Sequence, residues 1–208
     1  VPISTFPVAG LGTRIKISPT EHFDFRFGAY DGDPDSEHRN KNSIHWDLNE
    51  RDGASFLYEG AFHFGEKPES KFLPGTYKLG LFQHTGVFYH WQSADEDGSP
   101  IKKYGNYGIY GIMDQMIYRE KENQGLGIFA HFGGAPEDRN TVEYGFSAGL
   151  NYTGLIPERD QDITGIAITN ASFSDALRRV PDQPLYYGET ALEFTHRFQV
   201  TDWFAVQP

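Results

Sequence analysis

Asp24 and Arg26 stand two apart in a stretch whose intervening positions are Phe23, Phe25 and Phe27. Glu193 and Arg197 alternate with Leu192, Phe194 and Phe198, and Glu143 sits between Val142 and Tyr144. Glu59 and His63 lie four apart in a further aromatic stretch, and Lys78 lies between Tyr77 and Leu79. In an extended chain successive side chains point to opposite sides, so charges in this pattern collect on one face and apolar groups on the other. If the apolar face looks outward, Asp24, Arg26, Glu59, His63, Lys78, Glu143, Glu193 and Arg197 all look inward. A wall bearing both signs is a lattice of hydrogen-bond partners, and each Arg adds a planar fork that matches vicinal hydroxyls. Such a lining suits neutral mono- or small oligosaccharides better than single ions. Phe82 and Phe129, placed inward or at a rim, can stack on pyranose faces.

Other chemistries find little support. Gly125-Leu126-Gly127-Ile128-Phe129-Ala130 fits a dinucleotide fingerprint. That motif needs a helix opening on its glycines, however, and these glycines alternate with apolar residues inside a strand. Asp31-Gly32-Asp33-Pro34-Asp35 starts like a calcium loop, but positions 36 and 42 are Ser and Asn where Gly and Glu belong. It reads as a solvated acidic loop, as does Asp95-Glu96-Asp97. The eight histidines are scattered without an H-E-x-x-H, and there is no G-x-S-x-G. Two N-x-S/T sequons, at Asn151 and Asn170, carry no weight if the source is bacterial. Cysteine is absent, which removes thiolate nucleophiles and Cys-based zinc sites. A net charge of −11 argues against nucleic acid, whose phosphates need a basic surface. No cofactor, no metal and no enzymatic activity are expected.

The elements that would position these charges are strands. From Val142 to Tyr152 apolar and small or polar residues alternate without an error. The pattern predicts ten strands over 8–17, 21–30, 54–64, 76–84, 106–118, 125–133, 142–152, 162–172, 189–198 and 203–208. The odd connections (18–20, 65–75, 119–124, 153–161, 199–202) are mostly short. The even ones (31–53, 85–105, 134–141, 173–188) are, apart from 134–141, longer and more charged. Short turns at one rim and long loops at the other describe an outer-membrane barrel. Several strands reach the ~9–11 residues needed to cross a bilayer at a tilt, and no run approaches the ~20 apolar residues of a spanning helix. Phe23, Tyr30, Tyr107, Tyr118, Tyr144, Tyr152, Phe198 and Trp203 lie near strand ends, where a lipid–water girdle would place them. The fold class is therefore all-β, an antiparallel transmembrane barrel occupying 1–208 as one incomplete domain. A soluble β-sandwich, either a carbohydrate-binding module or a glycosidase, stays open as the alternative.

Particular stretches add a resemblance. Ala29-Tyr30-Asp31-Gly32, Pro74 through Gly80, Gly108 through Gln115, Gly154 through Asp160, and Glu193 through Pro208 resemble, in order, the carbohydrate-selective porins typified by the glucose porin OprB. The resemblance implies a sixteen-stranded Gram-negative outer-membrane barrel that passes glucose and similar sugars through a constriction of Arg, Glu and aromatics. It implies outer-membrane lipid and lipopolysaccharide as surroundings, and a monomer or homotrimer. On this reading the ten strands are the family's sixth to fifteenth, with further strands on both sides. Arg197, pointing into a narrow channel, is then expected to meet a carboxylate from an adjacent strand.

Overall fold

The sequence strings β-branched and aromatic residues into strands punctuated by Gly, Asp and Asn, and these form one continuous antiparallel sheet. The computed structural model describes residues 10–33, 46, 49, 51–65, 70–94, 99–180 and 186–207. The strands are β1 Gly12–Ile17, β2 Phe23–Asp31, β3 Ala54–Phe64, β4 Gly75–Ala94, β5 Pro100–Lys121, β6 Gln124–Gly134, β7 Val142–Thr153, β8 Ile163–Phe173, β9 Gly188–Thr201 and β10 Phe204–Val206. They lie side by side in chain order, each paired with the next, so the sheet is an up-and-down meander with β1 and β10 at its edges. It is an arc of a barrel, not closed by these strands alone.

The register divides the sheet into two faces. Ile17, Phe25, Gly60, Leu79 and Gly111 are successive cross-strand partners, followed by Phe132, Phe146 and Asn170. Ile166 and Phe194 pair further along the same face, and Phe194 is 79% exposed. Among the described residues the only buried apolar side chains are Ala54, Ala61 and Ala176. A sheet that leaves this many Phe, Leu and Ile side chains uncovered has its apolar face built for contact with something other than water. A soluble sandwich would have packed that face against a second sheet. Among the described residues no helix is long and apolar enough to cross a membrane.

Two sequence expectations change. Residues 85–105 were expected as the connection between strands 76–84 and 106–118, but β4 and β5 continue through most of that stretch. Val87, Phe88, Tyr89 and Tyr104 are strand formers, and register shifts after His84 and after Tyr89 bend the hairpin without ending it. β3 pairs with β4 only as far as His84, and β6 with β5 only as far as Ile109, so the hairpin beyond these points projects past the sheet. The connection 173–188 contains a short helix, α1 Asp175–Arg178. The acidic loop from Pro34 onward, His38, His45 and Asp95-Glu96-Asp97 lie outside the described residues. One further correction concerns Tyr30, placed in the girdle by sequence. It pairs with Ser55 and Gly12 on the polar face, its ring lying over Gly12 and Gly28.

Candidate functional site

All eight charged candidates fall on the polar face. Arg26 is opposite Glu59, Asp24 is opposite Ala61, and Ala61 is opposite Lys78. Glu193 is opposite Ala167 and Arg197 opposite Ile163, both on the face that carries Ser147 and Thr169. Glu143 shares this parity on β7, just where a bulge separates Val142 from Tyr144.

Four of the eight form one network. Arg26 donates from Nη1 to Glu59 Oε1 at 2.5 Å and from Nη2 to Asp24 Oδ2 at 3.3 Å. Asp24 also accepts from the Ser18 hydroxyl at 2.6 Å, pairs with Lys16 Nζ at 2.9 Å, and lies 3.2 Å from His63 Nε2. The other oxygen of Glu59 accepts from the Tyr110 hydroxyl at 3.0 Å, and His63 Nδ1 lies 3.1 Å from Thr76 Oγ1. The network thus runs across β1 to β5, each charge held by partners on neighbouring strands. Lys16, Ser18, Thr76 and Tyr110 were missed from sequence. Lys16 alternates with Ile15 and Ile17, and Tyr110 with Ile109 and Gly111, so period two carried the signal for both. Ser18 and Thr76 sit at strand ends, where only the cross-strand register reveals them.

The other four are not drawn in. Lys78 is half-buried and forms no ion pair among the described residues. Glu143, Glu193 and Arg197 sit on β7 and β9, several strands away in sheet order. Arg197 meets no carboxylate among the described residues, contrary to expectation. Its neighbour His196, on the opposite face, is the one that reaches an acid: its Nε2 lies 3.2 Å from Asp162 Oδ2. The register expected for β9 holds nonetheless, with Leu192 and Phe194 exposed on the other face.

Aromatic rings complete the polar wall, and glycines make room for them. Tyr110 lies over Gly80, Phe82 over Gly108, and Phe129 against Gly149. A Cβ at any of these glycines would strike the ring, so each ring lies flat along the wall at the expense of side-chain bulk opposite it. Two shallow grooves, the larger about 730 Å³, are lined mainly by apolar-face residues such as Tyr58, Leu81 and Ile109. The larger also reaches Phe82, and the smaller reaches Arg26 and Glu59.

At the two rims the connections are pinned by acids. Asp162 is buried and takes two bonds from the Arg159 guanidinium, at 2.7 and 2.9 Å, and one from the Gln199 amide at 2.8 Å. Arg159 beside it, with that amide and His196, holds its carboxyl down at about 2. At the opposite rim Arg139 and Lys103 lower the carboxyl of Asp138. Among the described residues no three His, Asp or Glu side chains are placed to hold a metal.

A polar wall of paired charges and flat rings on a barrel sheet with an uncovered apolar face has a counterpart among known families. The carbohydrate-selective porin model matches residues 3–208. The chain belongs to the OprB family. That family is one of carbohydrate-selective porins, which points to a transport channel. Two solved structures share the fold, the high-pH and low-pH forms of Pseudomonas putida OprB. The high-pH form has a TM-score of 0.81 at 22% identity, over 94% of this chain and 51% of that one. The low-pH form has a TM-score of 0.63 at 22% identity, over 99% of this chain and 50% of that one. The chain thus spans about half the length of these structures. No curated protein matches it in sequence.

Proposed function

We propose that this chain forms part of the wall of an outer-membrane pore through which small neutral sugars diffuse passively, glucose among them. The observation that carries the reading is the Arg26–Glu59–Asp24 network with Tyr110, set on the polar face of a sheet whose other face is apolar. Paired charges present fixed donors and acceptors to hydroxyls without a net field that would trap an ion. The flat rings of Phe82 and Phe129 on the same wall supply apolar surface for a pyranose face. Passive diffusion asks nothing more of the wall, neither a cofactor nor a nucleophile. The apolar face meets lipid, with Tyr107 and Tyr144 toward one rim and Phe23, Tyr118, Tyr152 and Trp203 toward the other. Lys78 beside the network, and Glu143, Glu193 and Arg197 several strands from it, line the same pore, and barrel strands outside this chain complete its circumference.

Liposome swelling tests the proposal. Vesicles carrying the full-length protein should swell in iso-osmotic glucose at a rate well above protein-free vesicles, and should not swell in a large dextran. Equal swelling with and without protein would defeat the reading, as would a soluble protein recovered intact without detergent.

A further inference from the structure

The β4–β5 hairpin that projects past the sheet is tied down far from its own strands. In sheet order β4 is separated by β5, β6, β7 and β8 from the connection that holds α1, yet α1 packs against β4. Neighbouring strands lie about 4.8 Å apart, so that interval is roughly 20 Å along the wall. The outer part of β4 therefore leaves the wall and crosses toward α1. The direction of the crossing follows from Asn106. It pairs with His84 on the polar face, and its side chain meets that of Asn140, so the contact lies on the pore side.

Asn140 is the centre of the tie. Its amide group exchanges two hydrogen bonds with the amide of Asn106, at 2.8 and 3.1 Å, and donates a further one to Pro136 O at 2.7 Å. Its backbone carbonyl accepts from the Trp91 indole at 3.1 Å and from the Ser174 hydroxyl. Trp91 N also donates to Asp138 O at 3.0 Å, Ser174 N to Thr141 O at 3.0 Å, and Arg139 Nη1 to Gly105 O at 2.6 Å. Asn106, Asn140 and Ser174 are all buried, Ser174 completely. A buried amide pair with every partner in place is rigid, and it is costly to break because its groups then lack both water and each other. One residue thus joins the hairpin (Trp91, Asn106), the connection between β6 and β7, and the residue that opens α1.

We propose that Asn140 is a positioning residue that holds the β4–β5 hairpin across the pore mouth and so sets the width open to solute. It touches no sugar; it fixes the segment that narrows the way in. The consequence for transport rests on the porin reading above, whereas the consequence for hairpin mobility does not.

The test uses the full-length protein in detergent and in bilayers, with Asn140→Ala, Ser174→Ala and the milder Trp91→Phe, which keeps the ring and removes only the indole donor. Amide hydrogen exchange over 85–91 and 100–106 should accelerate at least tenfold in Asn140→Ala and by less in Trp91→Phe, with strands β7 and β8 unchanged. Mean single-channel conductance should rise, with more open-channel noise, in the same order. Unchanged exchange in a folded Asn140→Ala protein would overturn the proposal. If that variant fails to fold, unchanged exchange in both Ser174→Ala and Trp91→Phe would overturn it equally. Faster exchange with wild-type conductance would overturn the gating role. A wild-type protein that forms no channel would defeat the proposed function and leave the exchange measurement to decide the tie.

Discussion

Arg26 reaches two carboxylates, and each carboxylate has other partners of its own. Removing the guanidinium leaves Glu59 with only the Tyr110 hydroxyl among these bonds, in a site where Glu59 is 15% exposed. Arg26→Ala should therefore destabilise the folded protein by about 1–3 kcal/mol, the usual cost of stranding a charge-assisted bond. Arg197 has no such dependent carboxylate among the described residues, and Arg197→Ala should stay within about 0.5 kcal/mol of the parent. Denaturant unfolding in detergent micelles checks both, and equal losses would mean that the pairing around Arg26 contributes nothing. The sequence made all eight charges legible as one face, because period two needs only parity. It did not show which of them meet. Contact depends on register across strands, and the sequence around Arg197 looks no different from that around Arg26.

The strands were legible almost residue by residue where one face is strictly apolar, as in β3 and β7. They were misread at 85–105, where register shifts bend the hairpin, and Gly-for-ring pairing across strands is invisible from one strand alone. That pairing makes a prediction. Gly80→Ala puts a methyl into the Tyr110 ring, and overpacking of this kind costs about 1–3 kcal/mol. The ring must swing off the wall, so the Tyr110–Glu59 bond should go with it. Tyr110→Phe in the Gly80→Ala background should then cost nothing further, and a normal additional loss would contradict the geometry. At the turn rim, Asp162 clamps the start of β8 to β9. Its folded pKa of about 2 lies below the ordinary 3.8. The clamp's contribution is therefore fully present above pH 3.8 and is lost as pH falls through about 2. The thermal midpoint should drop across that window, and Asp162→Asn should flatten the drop. An undiminished slope in the variant would assign the acid sensitivity elsewhere.

For the molecule as a whole, the two faces of the sheet decide the environment. Phe25, Leu79, Phe132 and Phe146 share one uncovered face, which water would not tolerate in a monomer at this extent. A low overall apolar fraction misleads here, because only alternate residues need to meet lipid. The central claim is that the opposite face is the wall of a sugar-passing pore. Planar-bilayer recording on the full-length protein tests it most directly. Steady ion current should be partly blocked by millimolar glucose, and Arg26→Ala should raise the current and weaken the block together. A channel whose current is indifferent to glucose in both proteins would contradict the account.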